Sequence, residues 1–107
     1  MQHYDEGIEK MVQHLIARFN PVEIILFGSW ARGDAGPDSD VDLLLVVDAA
    51  GSKRKIAVEA YRTLQAIGLA KDIIVVRPEE VARYRDVVGS LIYPALCEGE
   101  VLYERAA

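Results

Sequence analysis

Two short, almost entirely apolar stretches, residues 22–28 and 40–47, are separated by only eleven residues. Each stretch is long enough for one strand, and neither alternates polar with apolar residues, so both are predicted to be buried on both faces of a sheet. Parallel neighbours need a longer crossover, which is usually helical, whereas the GDAGPDS segment at 33–39 is typical of a loop. The two strands are therefore predicted to be antiparallel neighbours.

Helices and further strands are predicted around this pair. Apolar residues recur at helical spacing in residues 3–19 and 53–68, and the second of these helices is predicted to end at Gly68. A helix between the second and third strands favours a parallel crossover. The chain is predicted to be a single domain, residues 1–107, of the α/β (α+β) class, with a small mixed sheet of about four strands and helices packed on it. The remaining predicted elements are a helical turn at 29–32, strands at 72–76 and 101–104, and helices at 78–88 and 90–99.

The second apolar stretch opens with two aspartates, Asp40 and Asp42. Because side chains alternate along a strand, the two carboxylates point to the same face, about 6.6–6.8 Å apart along the backbone. Like charges held this close at the end of a buried strand repel each other, and a divalent cation between them relieves that repulsion. Paired carboxylates suit Mg²⁺, which takes further ligands from water and from substrate phosphates.

A third aspartate, Asp72, opens the predicted strand at 72–76. If this strand runs parallel beside residues 40–47, both strands start at the same edge of the sheet, and Asp72 converges there with Asp40 and Asp42. Three carboxylates are able to hold two metal ions about 3.5–4 Å apart, which stabilises both the attacking and the leaving oxygen in phosphoryl-type transfer.

Gly28 ends the first predicted strand, and Ser29 begins the helical turn that follows it, ahead of these acids in the sequence. Glycine permits a tight turn and a close approach to a ligand. The amide and hydroxyl of Ser29, with the amides that follow, are able to face a phosphate at the start of a helical turn. A Gly-Ser pair or an Asp-x-Asp segment alone is typical of an ordinary turn, but their combination with Asp72 indicates a metal-held nucleotide site.

Two further residues have two interpretations each. Arg32 lies one helical turn after Ser29, where it either binds a phosphate as a fork of donors or braces Asp34 or Asp38. Cys97 is the one cysteine of the chain, and its acidic neighbours favour a buried or half-buried structural role over a nucleophilic one.

The order of these motifs resembles the signature of the DNA polymerase β-like nucleotidyltransferase superfamily. Gly-Ser, Ala-Arg-Gly, Ser-Asp-x-Asp-Leu and a later Asp follow one another, and the segment GSWARGDAGPDSDVDLLLVV is similar to that of the minimal members, the MNT domains. The resemblance covers nearly the whole chain. It implies a nucleotidyltransferase-like fold of this length.

The resemblance also implies an activity, Mg²⁺-dependent nucleotidyl transfer with ATP as substrate and two magnesium ions as cofactors. By position, Asp40 and Asp42 are implied metal ligands. Asp72 is implied to be the third metal ligand and the general base that accepts a proton from the attacking hydroxyl. Gly28 and Ser29 are implied to hold the phosphates of the nucleotide.

MNT domains are encoded beside HEPN-domain proteins in many prokaryotes. The resemblance therefore implies that the chain transfers AMP to a tyrosine of a HEPN toxin and so acts as an antitoxin. About 100 residues leave no room for an acceptor-binding domain, which favours an acceptor on another chain. Two alternatives stay open: transfer to a small molecule or a tRNA, and a non-catalytic antitoxin that blocks its partner by occlusion.

Charge and hydropathy limit the other partners. A net charge of −5 argues against direct binding to a nucleic-acid backbone. The apolar stretches are far shorter than the ~18 residues that predict a membrane span, and the N-terminus lacks the pattern of a signal peptide. With one cysteine and no internal disulfide, a cytoplasmic protein is expected.

Overall fold

The computed structural model describes residues 6–106, which form one mixed four-stranded sheet with helices on both faces. The predicted fold class is therefore correct. Residues 3–5 of the first predicted helix lie outside the described residues. In chain order the elements are α1 (Glu6–Phe19), β1 (Glu23–Phe27), α2 (Ser29–Arg32), β2 (Val41–Val46), α3 (Lys53–Thr63), β3 (Lys71–Val76), α4 (Pro78–Tyr84), α5 (Tyr93–Glu98) and β4 (Glu100–Glu104).

The strands are ordered β3-β2-β1-β4 across the sheet. As predicted, β1 and β2 are antiparallel, with Phe27 opposite Asp42, and β2 and β3 are parallel, with Asp42 opposite Asp72. The strand predicted at 101–104 is present as β4, and it pairs antiparallel with β1 and forms the other lateral edge of the sheet. The end of β1 and the starts of β2 and β3 therefore lie together, along the edge of the sheet that the strand ends form.

The sheet is buried on both faces, which explains why its central strands are almost wholly apolar. Side chains alternate along β2, so Leu43 and Leu45 pack with the apolar sides of α1 and α3, while Leu44 and Val46 pack with α4 and α5. These four side chains are at most 2% exposed. Burial of each such side chain stabilises the fold by about 1.5–3 kcal/mol, so β2 is firmly anchored.

Three helices are shorter than the sequence predicted. Helix α5 begins at Tyr93, not at residue 90, because residues 87–93 form turns, and it ends at Glu98. Helix α3 ends at Thr63, not at residue 68, because the chain passes into tight turns in which Gln65 N–H donates to the Arg62 carbonyl and Ile67 N–H to the Leu64 carbonyl. These turns keep Leu64 fully buried. Helix α4 ends at Tyr84, not at residue 88, since the apolar side chains that follow it find no core to pack against and stay exposed.

Cys97 is exposed, whereas the sequence predicted that it would be buried or half-buried. Helix α5 has only six residues, and it is Ala95 that it buries against the sheet, so Cys97 lies outside the core. Across residues 6–106, no helix combines the length and the apolar character that a membrane crossing requires.

Candidate active site

The three predicted acids lie at the same edge of the sheet. Asp42 and Asp72 are direct neighbours across the parallel β2–β3 pair, where strands lie about 4.7–4.9 Å apart. Asp40 directly precedes β2 and lies two residues before Asp42. Asp42 is half-buried, whereas Asp40 and Asp72 are exposed. The parallel pairing thus brings a carboxylate from a distant part of the sequence beside the Asp-Val-Asp segment.

Burial and the neighbouring charges both shift the pKa of Asp42. Its pKa is raised above the ordinary 3.8, first by burial and then by the negative charges of Asp72 and Asp40, and Arg32 opposes the rise only weakly. Two neighbouring carboxylates therefore disfavour a third negative charge between them. A cation placed at this edge would remove that penalty.

The chemistry of these donors fits a divalent cation that prefers oxygen ligands, such as Mg²⁺. Within residues 6–106, no three carboxylate, imidazole or thiol side chains are already gathered as a metal-binding group. The backbone nevertheless brings Asp40, Asp42 and Asp72 to one edge of the sheet.

Gly28 lies directly against the carboxylate of Asp42. It follows the last residue of β1, Phe27, which is the register partner of Asp42. A Cβ atom at position 28 would lie 2.1 Å from Asp42 Oδ2, a distance that real side chains do not adopt. The backbone there has φ +74° and ψ −156°, a region open almost only to glycine. Glycine is therefore required at this position for both space and conformation.

Ser29 begins α2, the short helical turn that the sequence predicted. The Arg32 N–H donates to the Gly28 carbonyl at 3.1 Å, which closes the turn. The Trp30 indole N–H donates to the Ser39 carbonyl at 3.3 Å, which ties the turn to the residue just before the Asp-Val-Asp segment. The Gly-Ser turn and the first two acids are thus held in one local unit.

Arg32 makes the bracing contact that was one of its two predicted roles. Its Nε atom lies 3.4 Å from Asp34 Oδ2 and its Nη1 atom 3.9 Å from Glu98 Oε2, and all three side chains are exposed. Exposed ion pairs of this kind contribute about 0–1 kcal/mol, so they do not hold the guanidinium firmly. Since Arg32 also acts on the charge of Asp42, it is a cation near that carboxylate that a phosphate could recruit.

Tyr61 is a site contact that the sequence did not indicate. The Tyr61 hydroxyl donates to Asp72 Oδ1 at 3.3 Å and accepts a hydrogen bond from the Ile73 N–H at 2.8 Å. Tyr61 lies on α3, eleven residues before Asp72, and belongs to no local motif. Only the packing of α3 beside β3 reveals the contact.

A mixed α+β sheet with neighbouring carboxylates at the starts of two parallel strands, and a Gly-Ser turn against one of them, has the arrangement of a nucleotidyltransferase-like fold. The family model of the nucleotidyltransferase domain matches residues 8–94, which is most of the chain. The chain therefore belongs to the nucleotidyltransferase domain family. Members of this family typically use a nucleoside triphosphate and a divalent metal ion. No curated protein matches the chain significantly.

Several solved structures share the fold. A protein from Sulfolobus solfataricus, described as a nucleotidyltransferase, is 21% identical with a TM-score of 0.61, over 98% of this chain and 93% of its own. A mutant of the toxin-antitoxin MntA-HpeT has a TM-score of 0.65 at 18% identity, over 96% of this chain and 75% of its own. The structure of a tri-AMPylated Shewanella oneidensis HEPN toxin in complex with MNT antitoxin has a TM-score of 0.54 at 15% identity, over 94% and 71%.

Proposed function

We propose that this protein is a Mg²⁺-dependent adenylyltransferase that transfers AMP from ATP to a tyrosine hydroxyl of a HEPN toxin and thereby acts as an antitoxin. The observation that carries the proposal is the pairing of Asp42 with Asp72, with Gly28 packed against the Asp42 carboxylate. An oxygen-rich, negatively charged edge of this kind suits a cation and the phosphates that accompany it. The MNT-like neighbours, one of them in complex with an AMPylated toxin, support the acceptor class.

The proposed chemistry assigns metal binding to all three acids and a second task, that of general base, to Asp72. Asp40, Asp42 and Asp72 hold the divalent cations, two in this proposal, which when bound offset negative charge on the phosphates and polarise the reacting phosphorus. Asp72, exposed at the edge strand, accepts the proton of the acceptor hydroxyl. The acceptor oxygen forms a bond to the α-phosphorus while the bond from that phosphorus to the bridging oxygen breaks, and pyrophosphate leaves.

Gly28, Ser29 and Arg32 bind the triphosphate in this proposal. The half-buried Ser29 offers its amide and hydroxyl next to the acids, and Arg32 exchanges its exposed carboxylate partners for phosphate oxygens. Bidentate binding to phosphate is the stronger interaction for a guanidinium, because both partners are charged and the geometry is matched. An acidic chain thus gains the positive charge that ATP requires.

The acceptor is proposed to come from another chain. Residues 6–106 form a single sheet with its helices, and residues 1–107 are taken as one minimal domain. Asp72 lies on the edge strand β3 and is exposed, so a segment of a partner protein can approach it from solvent. A flexible partner segment with a tyrosine is the acceptor that this exposed edge fits.

The test is co-expression with the protein encoded by the adjacent open reading frame, followed by incubation with ATP and Mg²⁺. Intact-mass measurement is expected to show a gain of one or more AMP units on the partner. The Asp40→Asn, Asp42→Asn double variant should bind the partner and add nothing to it. A matched double variant, Glu79→Gln with Asp86→Asn, removes the same charge at exposed positions outside the site and should transfer AMP normally.

Two outcomes would contradict this proposal. One is a wild-type protein that adds nothing to the partner while the double variant still neutralises the toxin in cells, which would favour occlusion. The other is labelled nucleotide on a small molecule or a tRNA and none on the partner, which would assign a different acceptor.

Replacing Ser29 by alanine is expected to lower kcat/KM for ATP by roughly tenfold to a hundredfold. A hydrogen bond to a charged group contributes about 1.5–3 kcal/mol, and the backbone amides of the turn remain in the variant. The matched control is Ser90→Ala, because Ser90 Oγ has no hydrogen-bond partner in the described part of the chain. Steady-state kinetics check the prediction, and an unchanged kcat/KM for Ser29→Ala would remove Ser29 from the site.

A further inference from the structure

The Tyr61 hydroxyl makes hydrogen bonds to both the backbone of the edge strand β3 and the side chain of Asp72. Strand β3 has a neighbour only on the β2 side, so backbone groups on its other side have no strand partner within residues 6–106. The Ile73 N–H donates to the Tyr61 hydroxyl at 2.8 Å, so the phenol stands where the next strand would. This hydrogen bond fixes the phenol oxygen relative to the backbone at the start of β3.

The same contact determines where the phenol proton points. Because the Tyr61 oxygen accepts from the Ile73 N–H, its own proton is free to turn to a second acceptor, and Asp72 Oδ1 lies 3.3 Å away. The exposed Asp72 side chain would otherwise rotate freely in solvent. One carboxylate oxygen is thus directed toward α3, and the second oxygen is left for another partner.

We infer that Tyr61 is a positioning residue for nucleotidyl transfer: its hydroxyl orients Asp72 so that the second carboxylate oxygen is presented to the metal or to the acceptor hydroxyl. This inference rests on the proposed function, in which Asp72 is metal ligand and general base. Outer partners of metal ligands commonly fix ligand orientation in this way, and their loss lowers metal affinity or activity by roughly tenfold to a hundredfold.

The experiment compares Tyr61→Phe with Tyr84→Phe. Phenylalanine keeps the ring and removes only the hydroxyl, and the Tyr84 hydroxyl makes no hydrogen bond to the acids within residues 6–106. Tyr61→Phe is expected to lower kcat by roughly tenfold or more, with KM for ATP within about twofold, because the hydrogen bonds of the Tyr61 hydroxyl are made with Asp72 and Ile73 and not with Gly28 or Ser29. Tyr84→Phe should leave both constants unchanged.

A double-mutant cycle separates positioning from a merely structural role. If Tyr61 acts through Asp72, adding Tyr61→Phe to an Asp72→Asn background should change the remaining rate by less than about twofold. A structural role alone would lower the melting temperature of Tyr61→Phe and leave kcat unchanged. Equal kcat values for Tyr61→Phe and wild type would overturn the inference.

Binding of Mn²⁺, measured by electron paramagnetic resonance on the unmodified protein, gives a readout that does not depend on transfer. Tyr61→Phe is expected to bind Mn²⁺ roughly tenfold more weakly than Tyr84→Phe does. If the wild type transfers nothing, the proposed function fails. The role of Tyr61 in orienting Asp72 is then decided by Mn²⁺ binding, and equal affinities of Tyr61→Phe and Tyr84→Phe would overturn it. A mass gain of AMP on this chain that Tyr61→Phe abolishes would make Tyr61 an acceptor, and would also overturn its positioning role.

Discussion

Replacing Asp42 by asparagine is expected to lower the rate of nucleotidyl transfer about a thousandfold or more while the fold stays intact. Asp42 is the central acid of the site, between Asp40 in sequence and Asp72 across the strands. Loss of a metal-ligand carboxylate removes several kcal/mol of transition-state stabilisation, and about 4 kcal/mol corresponds to a thousandfold. Asparagine has nearly the same shape, so the packing of β2 is not disturbed.

The same variant should be slightly more stable than the wild type in metal-free buffer at neutral pH. Burial and the charges of Asp72 and Asp40 raise the pKa of Asp42, so ionised Asp42 destabilises the folded state above that raised pKa. The penalty shrinks as pH falls through the raised pKa and is absent below the ordinary value of 3.8. Because the side chain is only half-buried, solvent screens part of this repulsion, and a small rise in Tm is expected.

Adding Mg²⁺ should reverse the order of stability. A ligand that binds only the folded state stabilises it, so the wild type gains from Mg²⁺ and Asp42→Asn gains little. Thermal unfolding with and without Mg²⁺ checks both signs, and Asp86→Asn is the control for loss of an exposed charge. If Asp42→Asn transfers AMP at the wild-type rate, or gains as much stability from Mg²⁺ as the wild type does, Asp42 is not a metal ligand.

The central strands could be predicted because their sequence has one explanation. Residues 24–27 and 43–47 are apolar at successive positions, and burial on both faces of a sheet accommodates such short runs. The short loop between them and the helix that follows then determine the antiparallel and parallel pairings. These pairings are what bring Asp72 beside Asp42, so the position of a distant acid was predictable from local patterns.

The ends of two helices were not predictable in the same way. Leu64 and Ile67 continue the helical spacing of α3, and Gly68 is typical of a helix end, yet the chain turns after Thr63. The turns satisfy the burial of Leu64 equally well and bring the chain to β3. The predicted end of α4 at residue 88 was wrong for the opposite reason. Val88 is apolar but 77% exposed, because no element within residues 6–106 covers it. Periodicity reports which residues are apolar and not which surface is available to them.

The part that Tyr61 takes in the site was not predictable from the sequence either. Gly28, Ser29, Asp40 and Asp42 lie within one local motif, so the sequence groups them directly. The contact between Tyr61 and Asp72 depends on how α3 packs beside an edge strand, and no spacing in the sequence encodes it. Such contacts become visible only when the tertiary structure is known.

Replacing Gly28 by alanine is expected to disable the site and to destabilise the fold. The backbone conformation at position 28 costs a residue with a side chain about 1–3 kcal/mol, which lowers Tm by roughly 5–20 °C in a chain of this size. The added Cβ would also lie 2.1 Å from Asp42 Oδ2, so the carboxylate must move. A displacement of about 1 Å at a reacting centre lowers the rate about a hundredfold.

Two other glycines in the same segment separate these effects. Gly33 has φ +84° but open space where a Cβ atom would lie, so Gly33→Ala tests backbone strain without contact to Asp42. Gly36 has open space and no left-handed φ, so Gly36→Ala tests neither effect. We expect Gly36→Ala to resemble the wild type and Gly33→Ala to lose stability with a rate within a few-fold of the wild type.

Only Gly28→Ala should lose both stability and rate, because only there does the added methyl group meet a site carboxylate. Thermal unfolding and the initial rate of AMP transfer, measured for the three variants in parallel, check this order. Each rate is measured well below the Tm of its variant, so that unfolding does not contribute to the loss. If Gly28→Ala and Gly33→Ala lose the same fraction of the rate, strain in the turn controls transfer, and the close contact between Gly28 and Asp42 does not.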